Sequence, residues 1–131
     1  MIVLDTHAWV WWVSGAQRLP AKVVKTLARH RERGTLRVSS ISVWEVAQLV
    51  ERGRLEITMP VDDWVARSEA LPFLQFVPVD NRIALGSTRL PGSFHADPAD
   101  RIIVSTARSL GATLVTRDEK LRRYSHVETL W

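Results

Sequence analysis

The chain has no cysteine among its 131 residues. This absence excludes disulfide bonds, thiolate zinc sites and a cysteine nucleophile. Any metal ion must therefore be bound through oxygen or imidazole ligands. A cysteine-free chain also fits a reducing compartment, and we expect a cytoplasmic protein.

Long hydrophobic runs are absent as well. No stretch approaches the roughly 18 consecutive apolar residues of a membrane-spanning helix, and the N-terminal sequence MIVLDTH lacks the basic segment of a signal peptide. The composition, 46% hydrophobic and 24% charged, is typical of soluble globular proteins. Because a domain contains roughly 100 to 200 residues, we expect one soluble domain over residues 1–131 and no membrane partner.

Lysine is scarce, whereas arginine is abundant. Of the 18 positively charged residues 15 are arginine, and with 14 acidic residues the formal net charge is +4. Arginine makes bidentate contacts with phosphate groups, so this composition suits a nucleic-acid partner. A basic surface that is merely solvated is the alternative explanation.

Short apolar segments alternate with helical patterns along the chain. We predict strands at residues 1–4, 36–39, 73–79, 112–116 and 127–130, and helices at 8–13, 20–33, 42–52, 61–71, 82–88, 98–110 and 119–123. The third of these helices is placed by Ser42-Val43-Trp44-Glu45, which has the spacing of a capping box. Strands that alternate with helices indicate βαβ units. The expected fold is therefore α/β, with a parallel β-sheet sandwiched between α-helices in three layers.

Acidic residues recur where the predicted strands end and the following helices begin: Asp5, Glu45, Asp97, Asp100 and Asp118. The carboxyl ends of parallel strands meet at one edge of a sheet, where ligands bind. Ionised carboxylates that approach within ~4 to 6 Å repel one another, so we expect a divalent cation to neutralise the cluster. Mg²⁺, with Mn²⁺ as a substitute, prefers such oxygen ligands. This chemistry suits cleavage of phosphodiesters by a metal-activated water.

The charge balance changes when four of these acids are set aside. Without Asp5, Glu45, Asp100 and Asp118 the rest of the chain carries +8 instead of +4. An acidic site within a basic surface suits an enzyme whose polyanionic substrate is attracted by arginine and bridged to the acids by metal.

Each acid also has a structural explanation, because helix N-termini favour Asp, Glu, Ser and Thr. Glu45 fits the capping box, Asp97 and Asp118 fit N-caps, and Asp100 fits compensation of a helix dipole. Asp5 has the weakest explanation of this kind. If capping accounts for all of them, the protein is a non-catalytic module that binds RNA or a protein. A phosphate-transferring α/β domain is a third possibility, disfavoured because Asp5-Thr6-His7 lacks the paired acids of a D-x-D motif.

Four motifs together resemble the signature of PIN-domain proteins and, more narrowly, of VapC toxins. They are Asp5-Thr6-His7, Ser42-Val43-Trp44-Glu45, Asp97-Pro98-Ala99-Asp100-Arg101 and Thr116-Arg117-Asp118, which occur in order along nearly the whole chain. The resemblance implies the PIN fold and a Mg²⁺-dependent endoribonuclease that is the toxin of a type II toxin–antitoxin pair. It also implies an RNA substrate, a cognate antitoxin and a homodimer.

The resemblance further assigns roles to individual residues. Asp5, Glu45, Asp100 and Asp118 correspond to the acidic quartet that binds metal and performs catalysis. Thr6 and Thr116 match hydroxyl positions that orient a carboxylate or a water, for which a local turn is the alternative. Asp97 is retained as an outer-sphere or substitute ligand. His7 and His95 are weaker candidates for proton transfer, since a structural histidine is more common.

Three tryptophans, Trp9, Trp11 and Trp12, crowd the first predicted helix. Apolar residues occupy nearly every side of that helix, so core packing cannot be inferred for all of them. Exposed aromatic patches mark protein interfaces. We expect part of this surface to contact a second copy of the chain or an antitoxin segment.

Overall fold

The computed structural model describes residues 1–15 and 18–131. The strands are β1 Ile2–Leu4, β2 Leu36–Ser39, β3 Leu74–Val77, β4 Thr113–Val115 and β5 Thr129–Leu130. The helices are α1 Thr6–Val13, α2 Ala21–Arg33, α3 Ser40–Glu51, α4 Val61–Glu69, α5 Asn81–Thr88, α6 Pro98–Leu110 and α7 Glu119–Arg122.

The five strands form one sheet in the order β3-β2-β1-β4-β5, and every neighbouring pair is parallel. Leu4, the last residue of β1, is in register with Val38 of β2 and Val115 of β4. The carboxyl ends of the three central strands are therefore level. Whatever follows these strands is brought to the same edge of the sheet.

Helices cover both faces of this sheet. Successive side chains of a strand point to opposite faces, and Ile2 and Leu4 accordingly pack into one apolar cluster that includes Val23 of α2 and Trp64 of α4. Val3 packs into the other cluster, which includes residues of α6 and α7. The three-layer α/β/α fold with a parallel sheet is confirmed.

The predicted capping box at Ser42 is wrong. Helix α3 begins at Ser40, and its N-cap is Ser39, the last residue of β2, whose hydroxyl accepts from Ile41 N at 3.3 Å. The strand leads directly into the helix, so no loop residue is available to cap it. Ser42 lies instead inside the helix and is fully buried. Glu45 is consequently in the second turn, too far along to reach back to the N-cap.

Other boundaries moved for the same reason. Helix α1 begins at Thr6 instead of residue 8, because Asp5 at the end of β1 caps it. Strand β3 stops at Val77, and Asp80 caps α5 by accepting from Ile83 N at 2.8 Å. Within the part of the chain that the structure describes, no helix is both long enough and apolar enough to cross a membrane.

Helices α5 and α6 approach closely at Gly86 and Ser105. A Cβ atom added to Gly86 would lie 2.6 Å from Ser105 Oγ. That hydroxyl is buried and donates to Ile83 O at 2.8 Å, so it cannot rotate away without losing this hydrogen bond. The glycine is required by packing and not by its backbone conformation.

We therefore expect Gly86→Ala to lower the free energy of unfolding by about 1 to 2 kcal/mol, the range of core overpacking. Helix propensity alone predicts the opposite sign, since alanine is favoured over glycine by about 1 kcal/mol. Urea unfolding of the wild type, Gly86→Ala, Ser105→Ala and the double variant separates the two effects. Ser105→Ala should relieve the penalty of Gly86→Ala, and an alanine variant as stable as the wild type would contradict the packing argument.

Candidate active site

Asp5 stands at the centre of the sheet edge, between the ends of β1 and β4. Its Oδ1 accepts from Thr6 N at 2.8 Å and caps α1, and its Oδ2 accepts from the buried Thr116 hydroxyl at 2.7 Å. Its backbone N–H donates to Val115 O at 2.9 Å. The carboxylate is therefore held from both sides, with no freedom to turn away from the edge.

Thr6 connects Asp5 to the helix after β2. The Thr6 side chain is buried, and its hydroxyl lies 2.5 Å from Glu45 Oε1 and 2.8 Å from Ser42 Oγ. Because these two α3 residues are three apart, they lie on the same face of the helix. The hydroxyl of Thr6 thus fixes Glu45 beside Asp5, which is the orienting role expected for Thr6.

Asp100 reaches the same edge from the first turn of α6. Its Oδ2 lies 2.7 Å from His95 Nε2 in a half-buried hydrogen bond. The loop that carries His95 is anchored by Arg101, whose guanidinium donates to Ser87 O at 2.8 Å and to Phe94 O and His95 O at 3.1 Å each. Arg101 therefore positions the histidine, and the histidine positions Asp100.

Asp97 and Asp118 are exposed helix caps. Asp97 Oδ1 accepts from Asp100 N at 3.0 Å, and Asp118 Oδ1 accepts from Lys120 N at 2.8 Å. The N–H of Asp118 also donates to Thr116 Oγ1 at 3.0 Å. Both capping interpretations are confirmed. Each carboxylate has a second oxygen, so a cap does not prevent contact with a ligand.

Burial and mutual repulsion shift the acids of this edge toward their protonated forms. The pKa of Glu45 is raised to about 7, chiefly by burial and to a smaller extent by the neighbouring Asp5, Asp100 and Asp97, against the opposing hydrogen bond from Thr6. Burial likewise raises the pKa of Asp100 to about 6, opposed by His95. Burial also raises the pKa of Asp5, although the hydrogen bonds from Thr116 and Thr6 lower it.

These electrostatic interactions show which of the five acids lie near one another. Asp5, Glu45 and Asp100 lie close enough to repel one another. Asp97 repels Glu45 and Asp100, and Asp118 repels Asp5. Among residues 1–15 and 18–131, no three acidic or histidine side chains are positioned to ligate one metal ion as they stand. The five acids nevertheless offer carboxylate oxygens, the ligands that suit a hard divalent cation, and Asp5, Glu45 and Asp100 among them have raised pKa values.

Sequence reasoning undervalued three residues of this region. Ser42 was interpreted as a helix cap, but it hydrogen-bonds Thr6. His95 was a weak candidate for proton transfer, but it pairs with Asp100. Arg101 was one of the arginines expected to attract a phosphate-bearing substrate, but its guanidinium donates hydrogen bonds to backbone carbonyls. The only available signal was the adjacency of Arg101 to Asp100, because the loop that the arginine anchors has no sequence periodicity.

The tryptophans of α1 divide between core and surface. Trp9 is fully buried, with ring centroids 4.7 Å from Trp64 and 5.4 Å from Phe76. Trp11 is half-buried, and the guanidinium of Arg117 lies 4.7 Å from its ring centroid. Trp12 is also half-buried. Core packing accounts for Trp9, and a partner contact for the other two stays a prediction.

With this geometry in place, comparison with known proteins identifies the family. The model of the PIN domain family matches residues 2–127. The chain belongs to the PIN-domain family. It is also 34% identical over 132 aligned residues to Ribonuclease VapC22 of Mycobacterium tuberculosis, an alignment that covers 99% of this chain and 98% of the relative.

Solved PIN-fold structures agree in architecture. The crystal structure of VapBC2 from Rickettsia felis bound to a promoter DNA fragment matches with a TM-score of 0.71 and 20% identity, covering 99% of this chain and 98% of that one. The crystal structure of FitAcB from Neisseria gonorrhoeae matches with a TM-score of 0.67 and 21% identity, covering 100% and 97%. At these identities the likeness establishes the fold.

The raised pKa values predict how the stability of the metal-free PIN domain depends on pH. Glu45 has a pKa of about 7 in the folded protein against an ordinary value of 4.5, so the folded state binds its proton more tightly than the unfolded state. The stability that this proton provides is fully present below the ordinary value and is lost as pH rises through about 7. Asp100 acts in the same direction, with loss of its contribution through about 6.

In EDTA, we expect the melting temperature to fall by several degrees between pH 5 and pH 8. Glu45→Gln should flatten the profile, because glutamine has no proton to lose, whereas Glu69→Gln on the exposed end of α4 serves as the matched control. Differential scanning calorimetry at several pH values tests this. A wild-type melting temperature that rises over this range would show that the acids are not crowded.

Proposed function

We propose that this PIN domain is a Mg²⁺-dependent endoribonuclease and the toxin of a type II toxin–antitoxin pair. The observation that carries the proposal is the crowding of Asp5, Glu45 and Asp100 at the carboxyl edge of the sheet, where burial and then the neighbouring aspartates raise the pKa of Glu45 and of Asp100. Similarity to Ribonuclease VapC22 over nearly the full length supports RNA as the substrate. The net charge of +4 is consistent with an anionic substrate.

Asp5, Glu45, Asp100 and Asp118 would hold Mg²⁺ or Mn²⁺, with Asp97 as an outer-sphere contact. When bound, the cation supplies positive charge to the phosphodiester oxygens and lowers the pKa of a coordinated water. Binding of the cation would also offset the repulsion that, together with burial, raises the pKa of Glu45 and of Asp100. The repulsion among the crowded carboxylates is thus the physical reason for the proposed metal requirement.

The residues of the chain have distinct parts in hydrolysis. Glu45 Oε1 is engaged by Thr6, which leaves Oε2 to hold the cation or to take the proton of the attacking water as a general base. Thr116 and His95 hold Asp5 and Asp100 in place. Attack by the water on phosphorus forms one P–O bond and breaks another, and the leaving oxygen is protonated from solvent.

A second candidate function has a specific observation in its favour. Asp5, Asp97 and Asp118 all cap helices, as a non-catalytic module that binds RNA or protein would also require. That module should be indifferent to Mg²⁺ and should lose about 1 kcal/mol of stability for each cap removed. The raised pKa of Glu45, which caps nothing, favours the enzyme.

Asparagine substitutions separate the two functions. Asp5→Asn should abolish RNA cleavage while leaving the melting temperature nearly unchanged, because asparagine caps helices about as well as aspartate. Asp100→Asn should behave in the same way. Asp63→Asn in the exposed first turn of α4 is the matched control. Cleavage of a labelled RNA, followed on a denaturing gel, tests the proposal, and full activity in Asp5→Asn would refute it.

Metal dependence is tested independently of substitution. We expect cleavage to stop in EDTA and to return when Mg²⁺ or Mn²⁺ is added in excess, with a concomitant rise of the melting temperature. Ca²⁺ at the same ionic strength controls for nonspecific screening of charge. Unchanged cleavage in EDTA, with metal content confirmed by elemental analysis, would remove the cation from the mechanism.

The proposed partners are a cognate antitoxin and a second copy of the chain. The structural neighbours from Rickettsia felis and Salmonella typhimurium are VapBC complexes, and Trp11 and Trp12 leave aromatic surface partly exposed. We expect light scattering to give about twice the 14.9 kDa chain mass. Co-expression with the product of a small adjoining reading frame should yield a complex that does not cleave RNA. A monomer with no copurifying inhibitor would contradict this proposal.

A further inference from the structure

A groove of about 330 Å³ lies beside the acidic edge, between α7 and the loop that precedes α6. Its basic lining residues are Lys120, Arg123, His95 and His126, and Ser93 and Ser125 supply hydroxyl groups. No acidic residue is among its described lining residues. The groove therefore offers donors and positive charge to an anionic ligand.

The groove is continuous with the acidic edge at two points. His95 lines the groove, and its Nε2 lies 2.7 Å from Asp100 Oδ2. Lys120 also lines the groove, and its backbone N–H donates to Asp118 Oδ1 at 2.8 Å. A ligand in this groove would thus have only His95 between it and Asp100, and only Lys120 between it and Asp118. These are two of the four acids that we assign to the metal.

The floor of the groove is rigid. Tyr124 is buried, its hydroxyl donates to Pro91 O at 2.5 Å, and its ring centroid lies 4.7 Å from that of Phe94 and 5.4 Å from that of His126. These contacts tie α7 to the loop on the other side. The spacing between the groove walls is consequently fixed before any ligand binds.

The cations of the groove are available for binding. Lys120 is exposed. Arg123 contacts only Glu119 among charged partners in the described chain, at 3.2 Å, and both side chains are largely exposed. Exposed ion pairs contribute little free energy, so a phosphate can replace this carboxylate at little cost. Arginine and lysine therefore face the groove without a strong internal partner.

We propose that this groove binds the phosphate backbone of the RNA strand on one side of the cleaved bond. The inference rests on the proposed ribonuclease function and assigns Lys120 and Arg123 as substrate-positioning residues. Every nucleotide carries a phosphate. When the scissile phosphate lies at the acids, the neighbouring nucleotides of the strand must therefore lie across an adjoining surface of the protein. This groove adjoins the acidic edge, and its lining carries cations and no carboxylate, the exposed Glu119 beside Arg123 lying outside that lining. An acidic peptide is the other ligand with suitable charge, and the experiment distinguishes the two.

The experiment measures binding and cleavage with the same variants. Binding of a fluorescent single-stranded RNA is measured by anisotropy with Mg²⁺ at several salt concentrations, in an Asp5→Asn background that prevents cleavage. Each phosphate contact to a single strand contributes about 0.7 to the slope of log K against log salt. Lys120→Gln and Arg123→Gln should each lower the slope by about that amount. The matched controls, Lys25→Gln and Arg33→Gln on α2, should leave it unchanged.

Cleavage by the same variants in the otherwise wild-type chain should show a raised KM and a nearly unchanged kcat, because the groove contacts the strand equally in the ground and transition states. Unchanged salt slopes and KM in both groove variants, with Mg²⁺-dependent cleavage intact, would overturn the groove and leave the ribonuclease standing. A wild-type protein that neither binds nor cleaves RNA would overturn both. Normal RNA binding combined with lost affinity for a copurified protein partner would assign the groove to an acidic peptide.

Discussion

Crowding of half-buried carboxylates is the constraint on which the rest of this site depends. Asp5 lies at the end of the central strand, β1. Glu45 on α3 and Asp100 on α6 are directed toward it. Like charges in such a place are unfavourable unless protons or a cation compensate them. The surrounding hydrogen bonds from Thr6, Thr116 and His95 keep the acids in this unfavourable proximity. The fold thus holds carboxyl groups whose pKa values are raised by burial and by neighbouring acids at the end of the central strand.

Capping and ligand binding are compatible at this edge. A parallel sheet collects helix N-termini at the carboxyl ends of its strands, and carboxylates are stabilised there by the helix dipoles and the free N–H groups. Asp5 and Asp118 show how this works. One carboxylate oxygen of each caps a helix, and the side chain still lies at the edge of the sheet. From the sequence, helix capping and ligand binding were alternative explanations for these acids, but the geometry permits both at once.

Much of this could be predicted from the amino-acid sequence because it depends on local pattern. The buried strand before Asp5, the glycine that ends α2 and the Asp97-Pro98 start of α6 are each encoded within a few residues, and the parallel sheet follows from their alternation. The start of α3 was wrong because Ser42 and Glu45 have the spacing of a capping box, whereas Ser39, the last residue of the correctly predicted strand β2, caps the helix. The roles of His95 and Arg101 were missed because they depend on a loop conformation set by contacts distant in sequence.

The strands β1 and β2 pass into α1 and α3 without an intervening loop, since Asp5 and Ser39 each serve as both strand terminus and helix cap. Lengthening the first junction would displace Thr6 from Glu45, and lengthening the second would displace Glu45 from Asp5. The length of each junction is therefore fixed by the contacts at the edge of the sheet. Insertions can be accommodated in the irregular segments that border this edge, such as the stretch from Arg89 to Asp97.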